Sequence, residues 1–542
     1  MKGQEVNIVT EKWFSADESL CKEKGIFPRI IDDSKFPISY RSIFDQDRDR
    51  IIYSKVFRRM NGKTQIFIPN TNDYVRTRLT HSLEVNQIAR SVAKGLGLNI
   101  SLVEAIALGH DVGHTPFGHS GEYELNRIMN NCSNDKNTGF PLLEQNEKGF
   151  KHNFQSVRAL AELSTIYDQP GLNLSSFTLW GILNHTSKIS KQCRYLLEQK
   201  NETDKTKMEE SCIYKSKYNQ CKYSGLLSLG FYDNLESDFC CFTNKKPSWS
   251  FEAIVVNLAD EIAQFHHDIE DSIFMKIIEL NDATTYIKKC FEDYIQEILD
   301  KKTRDQYLDL IDNINSAKSD VSFMSFSSKM IINFLVNNLI LSSRRNLVNF
   351  AKDNNIKSRN DFINFYKSCN IKTLFNQNES LVDDNQLLNM EKNRIIGFSS
   401  DMKEPIDELK KTFYNRVINS EEVQKLNNLG ERVIFGLFYA LYENPRLLTD
   451  KTVFLLANRY EGIKEFNNAI EIYQNRTFKD REKYNSKIKE ALGEIRNNIN
   501  IVKSTVKNKK ILMRTICDHI SGMTDTYALN LHREIYGSNF KY

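Results

Sequence analysis

Between Arg76 and Glu122 the sequence reads RTRLTHSLEVNQIARSVAKGLGLNISLVEAIALGHDVGHTPFGHSGE. It holds four of the chain's ten histidines, His81, His110, His114 and His119, with Asp111 and Glu122 among them. Ligand-type side chains this dense, set between apolar runs, are costly to bury unless they bind something, because each loses its water. A divalent metal answers that cost most simply. Imidazole nitrogens with carboxylate oxygens form a mixed N/O set. Such a set suits Mn²⁺, Fe²⁺, Ni²⁺ or Zn²⁺, and it admits Mg²⁺ through the carboxylates and waters.

Helices must bring these groups together. Thr80 is the expected cap of a helix carrying Leu83, Val85, Ile88, Ala89, Val92 and Ala93, stopped by Gly95 and Gly97. Ser101, with Glu104 three residues on, has the form of a capping box for the next helix, LVEAIALG, which finishes at His110-Asp111. The connection between them is short, so the two helices are expected as antiparallel neighbours on which His81, His110 and Asp111 converge. VGHTPFGHSGE, with three glycines and a proline, reads as a loop leading into the helix EYELNRIMN. A fourth ligand must come from elsewhere. The helix expected over 250–273 offers Asp260, which shares one face with Gln264, His267, Asp268 and Asp271. A carboxylate among Val255, Val256, Leu258, Ala259, Ile262 and Ala263 needs a counter-charge, and a metal supplies one.

The rest of the chain reads as mostly α, with strand alternation almost absent and no internal repeat. Residues 1–40 form a lead-in broken by Pro28 and Pro37. RSIFDQDRDRIIYSKVFRRM is helical up to Asn61-Gly62, and NFQSVRALAELST and SSFTLWGILNHT are two further helices. A core over 41–280 is interrupted at about 186–248 by a charge-rich insertion with five cysteines. Cys212, Cys221, Cys240 and Cys241 match no usual zinc-ligand spacing and read as free thiols. Residues 281–542 form a helical C-terminal region.

Of 542 residues, 40% are hydrophobic and 27% charged, with a net charge of +4, a globular composition. That near-balance gives no argument for nucleic acid or a membrane surface. The N-terminal MKGQEVNIVTEKWF has no apolar leader, so a cytoplasmic protein with reduced thiols is expected. The longest apolar run, MIINFLVNNLILSS, is interrupted by Asn333, Asn337 and Asn338 and reads as too short and too polar to span a bilayer. No GxxxxGK[ST] loop occurs, which disfavours γ-phosphate ATPase chemistry.

The order His…His-Asp…Asp resembles that of the HD-domain metal phosphohydrolases, and more narrowly the sequence is similar to the deoxyguanosine triphosphate triphosphohydrolases (dGTPases). The blocks that carry the likeness are DRDRIIYSKVFRRMNGKTQIF, RTRLTHSLEV, GHDVGHTPFGHSGE, KHNFQSVR, ILNHT, LADEIAQFHHDIEDS and ISGMTDTYAL, spread over residues 47–529. The resemblance implies an all-α fold, an HD-domain helical core with additional C-terminal helices. It implies one divalent ion per chain, Mn²⁺ or Mg²⁺ before Fe²⁺, Ni²⁺ or Zn²⁺, held by His81, His110, Asp111 and Asp260. His119 and Glu122 match the catalytic pair: His119 protonates the departing 5′-oxygen or positions water, and Glu122 holds its tautomer. Gln65, Arg78, His114 and Asp268 match substrate positions, and His185 and Asn153 fit family blocks equally compatible with core or capping roles. Gln264 stands where many relatives carry tyrosine, which puts rejection of ribonucleotides in doubt.

The implied reaction is water attack on the α-phosphorus of dGTP or another dNTP, releasing deoxynucleoside and inorganic triphosphate. The implied assembly is a homo-oligomer of dimers, a tetramer or hexamer, without membrane attachment. An allosteric dNTP or single-stranded DNA is left open. Two rivals remain at this stage. One is another HD phosphohydrolase or phosphodiesterase, which would share the ligands without requiring GHSGE or the terminal GMTD. The other is a non-catalytic nucleotide- or single-stranded-DNA-binding regulator, which an intact His119/Glu122 pair argues against.

Overall fold

A computed structural model describes residues 7–17, 20, 40–66, 76–132, 139–166, 169–186, 228–232, 249–296, 301–317, 319–368, 395–402, 406–407, 416–460, 466–467, 470–471, 481–499 and 503–537. The insertion's five cysteines and the NTND turn lie outside them. Among the described residues the fold is all-α apart from one two-residue antiparallel hairpin, β1 (Thr165–Ile166) with β2 (Gln169–Pro170).

Helix α1 (Ile43–Tyr53) opens on a capping box between Ser42 and Asp45, and the short α2 (Lys55–Arg59) follows from Ser54. Helix α3 (Arg78–Leu96) starts from Thr77, not Thr80: the Thr77 hydroxyl accepts from the Thr80 N–H, and Thr80 returns the bond to Thr77. The reason is tertiary, since Thr77 pairs with Thr64 in an isolated β-bridge that holds its backbone extended. The helix ends at Gly97, which is left-handed at φ 69°.

Helix α4 (Ile100–Gly109) is capped by Asn99, whose side chain accepts from the Leu102 N–H. Ser101 and Glu104 do not form the expected box. Glu104 is buried on the inner side and accepts from Arg48 at 2.7 Å and from Arg90. Leu102, Val103 and Ile106 are completely buried, which stabilises the fold by about 1.5–3 kcal/mol each.

Beyond α4 come α5 (Gly118–Ile128), α6 (His152–Arg158) with a π-helical extension over Ala159–Leu163, and α7 (Ser176–Asn184). Helix α8 (Phe251–Phe274), capped by Ser250, is the central element. Its apolar face meets α3, α4 and α7, and later the long helix α11 (Asp320–Asp353). Between them lie α9 (Leu280–Gln296) and α10 (Lys301–Asn315), and after α11 comes α12 (Arg359–Ser368). MIINFLVNNLILSS lies inside the 34-residue α11, so the argument from shortness does not hold: by length and composition this helix could cross a membrane. It packs instead on α3, α8 and α10, with Met330, Ile331, Leu335 and Leu339 buried.

The C-terminal helices are α13 (Glu421–Glu443), α14 (Asp450–Arg459), α15 (Arg481–Asn498), α16 (Val506–Ser521) and α17 (Asp525–Tyr536). Buried apolar residues fall into two clusters. One joins α1–α4, α6–α12 and the first turn of α13. The other joins α5 to α13–α17 through Phe117, Leu125, Ile128, Leu437 and Ile516. We propose the division into lead-in, core and C-terminal region as one of chain order, while packing sets α5 with the C-terminal helices.

Candidate active site and metal centre

His81 sits in the first turn of α3, His110 caps the C-terminus of α4, and Asp260 lies midway along α8. Because α8 crosses both α3 and α4, their ligand atoms gather: those of His81, His110 and Asp260 all lie within 4.8 Å of one another. His81 Nε2 is 2.9 Å from Asp260 Oδ1, and His110 Nε2 is 3.9 Å from the same oxygen. Asp111 Oδ1 stands 3.4 Å from His110 Nε2, and its Oδ2 is 4.0 Å from His81 Nε2.

His81 Nε2, His110 Nε2 and Asp260 Oδ1 are buried and make no hydrogen bond. Orphaned polar atoms aimed at one point are what a metal-ligand set requires, so the residues fit a divalent ion. His110 is prepared for it, since Nδ1 lies 2.7 Å from the Ala107 carbonyl and must donate there, leaving the Nε2 lone pair inward. Burial works against ionising Asp111, but the neighbouring imidazoles of His110 and His114 and the Arg78 guanidinium hold its carboxyl well below the usual range.

Next to these ligands the histidines continue as one array. Ring contacts link His81 to His110, His110 to His185, His185 to His152, His152 to His114 and His114 to His119, and on the other side His81 to His267 and His267 to His266. His114 and His152 stack with centroids 3.8 Å apart. His114 Nε2 lies 3.4 Å from Asp111 Oδ1, and burial beside Arg78 and His152 keeps its ring neutral. His185 donates through Nδ1 to the Ile182 carbonyl at 2.6 Å, and burial pushes its pKa down to about 3. Asn153 donates to the Leu183 carbonyl, tying α6 to α7.

The GHSGE segment is not a loop. Phe117 takes a left-handed conformation at φ 60°, and α5 begins at once with Gly118, so His119 and Glu122 stand on its first turns. His119 is exposed while His114, Glu122 and His152 are buried, and the ligand atoms of the four lie within 4.8 Å of one another. The Glu122 carboxylate accepts from the His152 backbone N–H at 3.1 Å and from His152 Nδ1. Its close partner is therefore His152, a residue the sequence offered only inside the block KHNFQSVR. Burial favours a neutral Glu122, but the His152 and His119 charges hold it ionised.

Arg78 is 2% exposed and donates from Nη1 to Asp111 Oδ2 at 2.6 Å. A Cβ added at Gly118 would stand 3.3 Å from Arg78 Nη2 and 3.6 Å from the Gln65 carbonyl, so both expected substrate residues meet the start of α5. Gln65 Oε1 is buried without a partner. Asp268 lies two turns beyond Asp260, and burial beside Asp271 pushes its carboxyl up to about 7. Gln264 is exposed.

The terminal GMTD block closes on the same loop. Asp525 accepts from the Thr64 N–H at 2.8 Å, the Thr64 hydroxyl and the Phe117 N–H at 3.0 Å. The buried Lys63 ammonium donates to the Ser521 carbonyl at 2.8 Å and to that of His114. Lys63 carried no signal as a site residue in the sequence, because its partners are backbone atoms.

Residues 78–216 match the HD domain, and residues 396–462 and 500–534 match the phosphohydrolase-associated domain. The chain is 39% identical over 263 residues to a deoxyguanosinetriphosphate triphosphohydrolase-like protein of Wolinella succinogenes, covering 48% of this chain and 56% of that protein. It is 31% identical over 416 residues to one of Rickettsia felis (76% and 83%), and 29% over 507 residues to one of Rickettsia bellii (93% and 94%).

Proposed function

Since the chain belongs to the family of deoxyguanosinetriphosphate triphosphohydrolase-like proteins with an HD domain, we propose that it hydrolyses dGTP or another dNTP to deoxynucleoside and inorganic triphosphate. The observation that carries this reading is the buried His81/His110/Asp260 set, joined by Asp111, directly beside the His119–Glu122–His152 group on α5 and α6. An ion held by His81, His110, Asp111 and Asp260, with Mn²⁺ or Mg²⁺ the first choices, would supply Lewis-acid charge at the α-phosphate.

The protein's own groups supply positioning and proton transfer. Water oxygen bonds to the α-phosphorus and gives up a proton to solvent as the bond from phosphorus to the 5′-oxygen breaks; that oxygen takes a proton from His119, the exposed member of its cluster, which solvent then reprotonates. Glu122 and His152 fix the floor against which His119 works. His114, Arg78, Gln65 and Asp268 line the approach for phosphates, base and sugar, Arg78 offering its remaining guanidinium edge.

Product analysis of dGTP turnover with Mn²⁺ or Mg²⁺ tests the reaction. Triphosphate is expected, whereas orthophosphate or pyrophosphate would point to another HD phosphohydrolase. His119→Ala should lower kcat by about 10²–10⁴ while leaving bound metal unchanged. Loss of the metal instead would reassign His119 to the ligand set.

A further inference from the structure

His81 has two ring nitrogens and two competitors for its single proton. Nε2 faces Asp260 Oδ1 at 2.9 Å, while Nδ1 lies 3.1 Å from Nδ1 of His267. If Asp260 wins, the proton sits on Nε2, the two groups hydrogen-bond to each other, and both lone pairs a metal needs are consumed. The other side decides the contest. His267 is 1% exposed, and its Nε2 lies against the Glu84 carboxylate. A carboxylate against Nε2 favours the tautomer with the His267 proton on that nitrogen, which leaves Nδ1 to accept. His81 then carries its proton on Nδ1 and turns the Nε2 lone pair inward. Arg76 holds Glu84 in place at 3.3 Å and also binds Asp271 at 2.7 Å and Glu270, which fixes the start of α3 on the end of α8.

We propose that His267 and Glu84 are positioning residues for the metal centre: a carboxylate–imidazole chain that sets the His81 tautomer and so keeps Nε2 open for the ion. Neither stands among the expected ligands or catalytic groups. His267 reaches the ion only through His81, and Glu84 only through His267. This is the two-step form of the carboxylate–histidine–metal arrangement, and its loss weakens metal affinity by about ten- to a hundredfold. The inference rests on the proposed metal site.

The test is Mn²⁺ affinity by calorimetric titration of the full chain, with thermal melting to confirm folding. His267→Ala should weaken Mn²⁺ binding by about ten- to a hundredfold. His267→Asn, which keeps an acceptor oxygen where Nδ1 stood, should recover most of that loss. Glu84 is partly exposed, so Glu84→Ala should fold and weaken binding if His267→Ala does not fold. Wild-type affinity within twofold in the alanine variants overturns the inference while sparing the metal site. Equal loss in His267→Asn and His267→Ala also overturns it, since a merely structural role predicts no rescue. Absence of Mn²⁺ binding in the wild type would sink the site reading and this inference together.

Discussion

Glu122 shows how a buried carboxylate becomes a fixed charge. Burial alone would neutralise it, yet His152 donates to it twice and the His119 charge lies close, so it remains ionised well below the usual range. Glutamine in its place keeps one acceptor for the His152 backbone but loses the charge that steadies the imidazoles. Glu122→Gln should therefore lower kcat, by less than the about 10²–10⁴ expected for His119→Ala, with KM and bound Mn²⁺ little changed. Steady-state kinetics beside metal analysis checks this. A variant with wild-type kcat would show that Glu122 only shapes the helix. The sequence carried the Glu122 signal, through GHSGE, but gave it His119 as partner. A hydrogen-bond partner of Glu122, His152, stands 30 residues on, at a separation no local spacing encodes.

At the level of elements, the turn after α4 is held against α6 by a close backbone approach. A Cβ at Gly113 would lie 2.1 Å from the Ser156 nitrogen and 2.5 Å from the His152 carbonyl oxygen, both main-chain atoms that cannot step aside. The Gly113 N–H meanwhile donates to the Ser156 hydroxyl, which itself donates to the His110 carbonyl. Gly113→Ala should destabilise by about 1–3 kcal/mol or more and shift Asp111 against its partners, weakening Mn²⁺ binding as well as lowering Tm. Unchanged melting and affinity would show that α6 can move away freely. The helices themselves were legible from apolar period, but their first residues were not. Thr77 displaced Thr80 because a β-bridge reached it, and α5 began early because Asp525 holds the Phe117 N–H.

Across the whole molecule, charge is buried with two opposite consequences for acid stability. Glu252 accepts from the N–H groups of Ala16 and Asn99, joining the N-terminal segment to α8, and burial pushes its carboxyl up to about 7. The folded chain thus holds this proton where the unfolded chain has lost it. Its stabilising effect is full below about 4.5 and fades as pH rises through about 7, a difference on the order of 3 kcal/mol. Glu270 runs the other way. Burial opposes its ionisation, but His266 and Arg76 hold it at about 2, so its contribution is present above about 4.5 and lost on acidification. Glu252→Gln keeps the acceptor and removes the proton, so its Tm should fall less than the wild type's between pH 5 and pH 8. Parallel Tm profiles would refute the assignment.

The sequence by itself determined the all-α class and the helices that carry the ligands. It also suggested His81, His110, Asp111 and Asp260 as one ligand set, through clustered imidazoles, an acid in an apolar helix and the resemblance to HD phosphohydrolases. Only the tertiary structure decided which nitrogen of each histidine faces inward, since that depends on a backbone carbonyl for His110 and on His267 and Glu84 for His81. It alone brought His152 to Glu122 and closed Asp525 and Lys63 over the loop bearing His114. Residue types record what chemistry is available. The direction of a lone pair depends on neighbours that the chain supplies from far along its length.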